Sequence, residues 1–277
     1  MSRHDLRAEA LSLGYGERTV VDALDVAIPD GLITAVVGAN ASGKSTLLRG
    51  LARLLRPESG QVLLDGAPLE RWRNVEVAKV IGLLPQTPVA PDGITVADLV
   101  GRGRYPHQGW FRRWTSTDDE AVAAALHATG SADLADRAVG SLSGGQRQRV
   151  WVAMVLAQET ELLLLDEPTT YLDLSHQVEL LDLLADLNET RDTTIVIVLH
   201  DLNLAFRYAH HLVAMKAGRI VAEGAPADLV DAALVADVFG LESTVVTCPV
   251  SGAPMVVPIA GQRRRRGQDL IATPRRQ

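Results

Sequence analysis

The chain has 277 residues, 47% of them hydrophobic and only 4% aromatic, with a formal net charge of −7. That length suits one large α/β domain or two small ones, with a mainly aliphatic core. Residues 263–277 hold six arginines and one aspartate, a charge of +5, which leaves −12 on the rest; so acidic a body argues against a broad nucleic-acid footprint and against direct attachment to anionic lipid.

Residues 6–13 and 20–28 alternate loosely, as strands with one exposed face do. Residues 32–37 are a solid apolar run, and a stretch with glycine at both ends follows at 38–43. A helix is expected from Lys44 to about Leu55, ahead of Pro57. Strands are expected at 61–65 and 80–84. Thr117 with Glu120 reads as a capping box for a helix that continues over 121–128 and stops at Gly130. A helix at 144–158, a strand at 161–165, a helix at 176–188, a strand at 194–199 and a helix at 202–209 come next. A hairpin over 212–223 turns at Ala217-Gly218. From residue 32 the alternation of strand and helix implies a mostly parallel sheet covered on both faces. Residues 87–150 interrupt it and read as an inserted helical subdomain. Only the arginine-rich end, 261–277, reads as low complexity and is expected to be disordered.

Cys248 is the single cysteine, so no internal disulfide can form, and a reducing compartment is the simple reading. Its neighbours Thr247 and Pro249 offer no activating base, so it reads as a plain small residue near a strand end. Residues 1–9 are charged and lack an apolar signal core, and the longest apolar runs are too short to span a bilayer. The expectation is a cytosolic chain that meets a membrane only through a partner.

The stretch Gly38-Ala39-Asn40-Ala41-Ser42-Gly43-Lys44-Ser45, with Thr46 next, fits the phosphate-binding pattern G-x-x-x-x-G-K-[ST] between an apolar strand and a helix. Small residues let backbone N–H groups close around phosphate oxygens, and the helix start adds partial positive charge. Lys44 would reach the β- and γ-phosphates and the Ser45 hydroxyl would ligate Mg²⁺. A bare tight turn before a helix is the bland alternative, and the flanks with Lys and Ser together argue against it. Four leucines at 162–165 run into Asp166 and Glu167. Asp166 would hold the Mg²⁺ shell, and Glu167 could polarise a water. Acids after a strand are often only loop solvation; the upstream phosphate loop gives these a partner.

Leu142-Ser143-Gly144-Gly145-Gln146 offers a good N-cap and close backbone approach, which taken alone is a capped helix. It also matches the signature motif of ABC ATPases and lies 20 residues before the acidic strand end. The chain resembles that family over about residues 6–260. The resemblance implies a P-loop NTPase of the α/β class. In it a RecA-like, mostly parallel core joins an N-terminal antiparallel β part and the helical subdomain, as one domain over 1–260. It implies that Tyr15 stacks on adenine, that Gln86 senses Mg²⁺ and the attacking water, that Asp173 belongs to the loop crossing the dimer interface, and that His200 is the switch histidine at the γ-phosphate. It further implies a head-to-tail pair of copies, each ATP held between one copy's phosphate loop and the other's signature. Many family members have glycine where this chain has Ala41, and a left-handed backbone there would strain alanine.

The segments 101–108 and 167–173 resemble the ATPases of bacterial iron–siderophore importers, with haem and cobalamin importers as the alternative. The resemblance implies a separate membrane permease, an indirectly engaged substrate-binding protein and a place at the cytoplasmic face of the membrane. Arg102, Arg104, Arg112 and Arg113, with Tyr105, Trp110 and Phe111, are the expected permease grip. A non-transport ABC ATPase acting on DNA or ribosomes would carry a long coiled-coil insertion or tandem domains, which this chain lacks. A dead binding module would have lost Lys44, Glu167 or His200.

Overall fold

The computed structural model describes residues 4–108 and 114–259. Its element order is β1 (Leu6–Tyr15), β2 (Arg18–Ile28), β3 (Ile33–Gly38), α1 (Lys44–Leu51), β4 (Ser59–Leu64), β5 (Ala67–Pro68), α2 (Asn74–Val80) and β6 (Ile81–Leu84). It continues with α3 (Val96–Gly101), α4 (Ser116–Ala128), α5 (Gly144–Ala157), β7 (Leu162–Asp166), α6 (Leu174–Arg191), β8 (Thr194–Val198) and α7 (Leu202–Tyr208). Last come β9 (His211–Lys216), β10 (Arg219–Gly224), α8 (Pro226–Leu229), α9 (Ala232–Phe239), β11 (Ser243–Thr247) and β12 (Pro254–Pro258).

The central sheet runs β10-β9-β3-β8-β7-β6. Strands β9, β3, β8, β7 and β6 are parallel, and β10 closes the edge antiparallel. Every residue of β3, β7 and β8 is buried, which is why these strands read as unbroken apolar runs rather than alternating ones. A second, antiparallel sheet, β2-β1-β4-β5, packs its alternate apolar residues with one face of the central sheet and with α1. The opposite face of the central sheet lies in a larger cluster with α5, α6, α7 and the helical part built from α3 and α4. The α/β fold is thus the one the sequence implies.

Three details differ from expectation. Helix α1 stops at Leu51, where Ala52 and a left-handed Arg53 (φ 60°) break it before Pro57 acts. The capping box of α4 is Thr115 with Asp118, not Thr117 with Glu120. Arg104 is not part of an exposed grip: it is 4% exposed, and its guanidinium donates to Asp118 Oδ1 (3.0 Å), Ala157 O (2.7 Å) and Glu159 Oε2 (2.7 Å). A lone arginine in a basic stretch gave no hint of acids so far along the chain. Arg102 and Tyr105 are exposed, while Trp110, Phe111, Arg112, Arg113 and the arginine-rich end fall outside the described residues.

Candidate functional site: a cleft at the ends of four parallel strands

Four neighbouring strands deliver their C-terminal ends to one place, where open parallel sheets hold ligands. β3 ends in Gly38 and the phosphate loop, β8 leads to His200, β7 ends in Asp166 with Glu167 beyond, and β6 leads to Gln86. A cleft of about 570 Å³ sits there, lined by Tyr15, Arg18, Val20, Asn40 to Thr46, Gln86, Glu167 and His200. Sequence reasoning missed Arg18 and Val20, which come from the start of β2; the short turn after Tyr15 that folds them back was the available signal.

The loop's shape explains its residues. Gly38 has φ 155°, and a Cβ there would lie 2.3 Å from Met215 O and 2.6 Å from Ser42 Oγ. Gly43, at φ 105°, is the N-cap of α1, and no side chain caps that helix. Ala41 is left-handed at φ 63°, the strained conformation the sequence warned of, at a cost on the order of 1 kcal/mol relative to glycine. Lys44 is 5% exposed, and its Nζ donates to the loop's own carbonyls, Gly38 O (2.9 Å) and Ala39 O (3.0 Å). Burial pulls its pKa down against the charges of Glu167 and Asp166.

Ser45 Oγ donates to Asp166 Oδ1 at 2.9 Å. Burial, and after it the charge of Glu167, pushes the Asp166 carboxyl up, although the Ser45 hydrogen bond, Arg49 and Lys44 pull the other way. Glu167 is 8% exposed and left-handed at φ 55°. Its Oε1 meets His200 Nε2 at 2.7 Å, and its Oε2 accepts from Thr170 Oγ1 at 3.3 Å. The Tyr15 hydroxyl accepts from Arg49 at 2.9 Å, which leaves a ring 47% exposed at the cleft's rim.

The arrangement fits a magnesium-bound polyphosphate. Among the described residues Ser42 Oγ is buried with no hydrogen-bond partner and the lysine is bonded only within its loop, while Ser45 with Asp166 forms an oxygen pair suited to a hard cation. Among the described residues no group of three or more His, Cys, Asp and Glu side chains could hold a metal. A small number of protein ligands, completed by phosphate oxygens, is the usual way Mg²⁺ is held.

The signature residues stand elsewhere. Leu142 is buried, Ser143 and Gly144 are exposed, and none of the five from 142 to 146 lines the cleft. Ser143 caps α5: its Oγ accepts from Gln146 N (3.3 Å), and Gln146 Oε1 accepts from Ser143 N (3.1 Å). The chain's own loop lies against the two glycines. A Cβ on Gly144 would meet Tyr171 Cβ at 3.3 Å, and one on Gly145 would meet Leu172 Cδ2 at 3.4 Å. That loop ends at Asp173, the N-cap of α6. Hydrogen bonds from the His176 backbone, the Ser175 hydroxyl and the His176 ring hold the Asp173 carboxyl down at about 2.

The family model for ABC transporters matches residues 21–170. The chain belongs to the ABC transporter family. It is an ATPase subunit of that family, built on the P-loop NTPase fold. The ferric enterobactin transport ATP-binding protein FepC of Escherichia coli is 55% identical over 254 residues, 92% of this chain and 94% of that one. The petrobactin import ATP-binding protein FpuD of Bacillus anthracis is 51% identical over 261 residues, 94% of this chain and 96% of that one. Among solved structures, a dimeric bacterial ABC transporter cassette aligns with a TM-score of 0.72 at 26% identity, covering 79% of this cassette and 98% of its own chain. Among the described residues no helix is long and apolar enough to cross a membrane.

Proposed function

We propose that this cassette powers the import of a ferric siderophore, working as a head-to-tail pair on a separate membrane permease. The gathering of Lys44, Ser45, Gln86, Glu167 and His200 around one cleft carries the mechanism, with Asp166 bonded to Ser45. The cargo rests on the high identity to ATP-binding proteins of ferric enterobactin and petrobactin transport. Residues 1–260 act as one cassette, with 87–150 as its helical subdomain and 261–277 as an appended tail.

In this reading the amides of residues 38–46 and the open start of α1 bind the phosphates, and Lys44 places its charge against the β- and γ-oxygens. Tyr15 offers its exposed ring to adenine. Ser45, Asp166 and Gln86 would hold Mg²⁺, which when bound spreads the charge of the phosphates. Glu167 accepts a proton from the attacking water. His200 and Thr170 fix the two oxygens of that carboxylate, and Gln86 orients the water. Ser143 and Gly145 meet the γ-phosphate of the other copy. The second copy is needed because the signature does not line the cleft of its own chain. Asp173, close to the signature, lies where the two copies would cross. The exposed Arg102 and Tyr105 face the permease, which takes its cargo from a substrate-binding protein. Nucleic acid has no place in this reading.

Glu167→Gln tests the chemistry. It should leave ATP binding intact, trap the ATP-bound pair and slow hydrolysis by about a thousandfold; hydrolysis at the wild-type rate would remove Glu167 as the base. Growth of a Glu167→Gln strain on a ferric siderophore as sole iron source tests the cargo. Normal growth there would leave the ATPase standing and remove the siderophore.

A further inference from the structure

His200 reaches Glu167 from the turn between β8 and the short helix α7. α7 has seven residues, well below the length at which an isolated helix persists in water. Leu204, Ala205 and Phe206 bury its middle. The end that carries His200 is held differently. Asp201 Oδ1 accepts from Leu204 N at 2.9 Å, a local cap that shapes the turn without placing it. Asn203 makes the distant connection. Its Oδ1 accepts from Val256 N at 2.8 Å, and its Nδ2 donates to Val256 O at 3.3 Å.

These two bonds use both polar groups of one strand residue, as a neighbouring strand would. Asn203 therefore latches α7 to β12, and Val256 is itself 5% exposed in the larger core cluster. The His200 side chain is 51% exposed, so packing does little to fix it. Its backbone stands between buried Leu199, just past the end of β8, and the start of α7, so its 2.7 Å contact with Glu167 is set from both sides. We propose that Asn203 is a positioning residue for ATP hydrolysis, setting the His200–Glu167 contact by tying α7 to the C-terminal hairpin. It touches neither nucleotide nor water and acts through His200. The proposal rests on the reading of Glu167 and His200 as the catalytic pair.

The test compares the full chain as wild type, Asn203→Ala, His200→Ala and the double variant. Steady-state ATP hydrolysis is measured with the histidine ring signals in NMR, those of His200 being the ones that vanish in His200→Ala. In Asn203→Ala, kcat should fall about tenfold with KM for ATP little changed. The His200 signals should shift while those of His4 and His127 stay in place, and the double variant should be no slower than His200→Ala. An equal loss of kcat in both backgrounds with unmoved His200 signals is what a merely structural role would give, and it would overturn the proposal. Asn203→Asp keeps the acceptor for Val256 N–H and lacks the donor. It should fall between wild type and Asn203→Ala, and it carries the same decision if the alanine variant folds poorly. Should His200→Ala hydrolyse ATP at the wild-type rate, the catalytic reading of His200 is what fails, and the ring signals alone then decide whether Asn203 places the side chain.

Discussion

Helices α1 and α5 both start on loops that carry glycine, yet their first turns are finished in opposite ways. At α1 the N-cap is Gly43, and among the described residues no side chain closes the turn and the neighbouring Lys44 is occupied only with its own loop's carbonyls. At α5 Ser143 and Gln146 close the turn reciprocally. The first turn keeps its donors for oxygens that come from outside; the second satisfies itself and still stands exposed. That contrast separates two jobs. In the proposed reading the α1 end would supply charge and binding within one chain, while the α5 end would supply a preformed, partly positive surface for another. Lys44→Ala breaks the first job and should have the largest effect. ATP hydrolysis should drop by about a thousandfold, with nucleotide binding to the isolated chain lost in a titration. Retained binding with retained hydrolysis would mean that the backbone loop alone does the work assigned to the lysine.

The far ends of the two helices differ as well. α1 stops in a turn against the antiparallel sheet, whereas the C-terminal carbonyl of α5 at Ala157 receives the buried guanidinium of Arg104, which also pairs with Asp118. Asp118→Asn leaves Glu159 as that guanidinium's one remaining acid among the described residues and should cost about 2 kcal/mol in denaturant unfolding. Burial pushes the Asp118 carboxyl up, but the hydrogen bonds from Arg104 and Thr115 and the charge of Arg104 outweigh it, so the net shift is downward. A carboxyl lowered in the folded state adds stability that is full above its unfolded pKa and lost as pH falls through the folded one. The gap between wild type and Asp118→Asn should therefore be complete at neutral pH and narrow below about pH 4. A gap that widened in acid would contradict the ion pair.

The first turn of α1 was legible in the sequence, and so were the strand ends around it, because their chemistry is local. A glycine loop with Lys and Ser at fixed spacing, and acids or a histidine directly after apolar runs, announce themselves within ten residues. The anchor of α5 was not legible. Arg104 finds its acids 14 and 55 residues away, and a basic stretch looks the same whether its arginines face solvent or the core. The start of α4 runs Thr-Ser-Thr-Asp-Asp-Glu, so three overlapping cap patterns share it, and the one that forms is the one whose acid also serves Arg104. The latch between Asn203 and β12 spans 53 residues, and nothing in the short strands after residue 224 marks them as belonging beside the His200 helix.

Ser143→Ala makes the gentlest cut between the two first turns. Removing the hydroxyl leaves Gln146 N without its cap and should cost about 1 kcal/mol of stability. The cleft does not contain Ser143, so nucleotide binding by a single copy should stay at the wild-type level, in contrast to Lys44→Ala. What should suffer is pairing: less ATP-dependent dimer in light scattering, and hydrolysis lower by about tenfold. Ser143→Asp separates the two parts of that loss. Aspartate is as good an N-cap as serine, so stability should return. Its negative charge would face the partner's phosphates, so hydrolysis should fall further rather than recover. Recovery of both together would make Ser143 a cap and nothing else, and the two first turns would then differ in sequence but not in task.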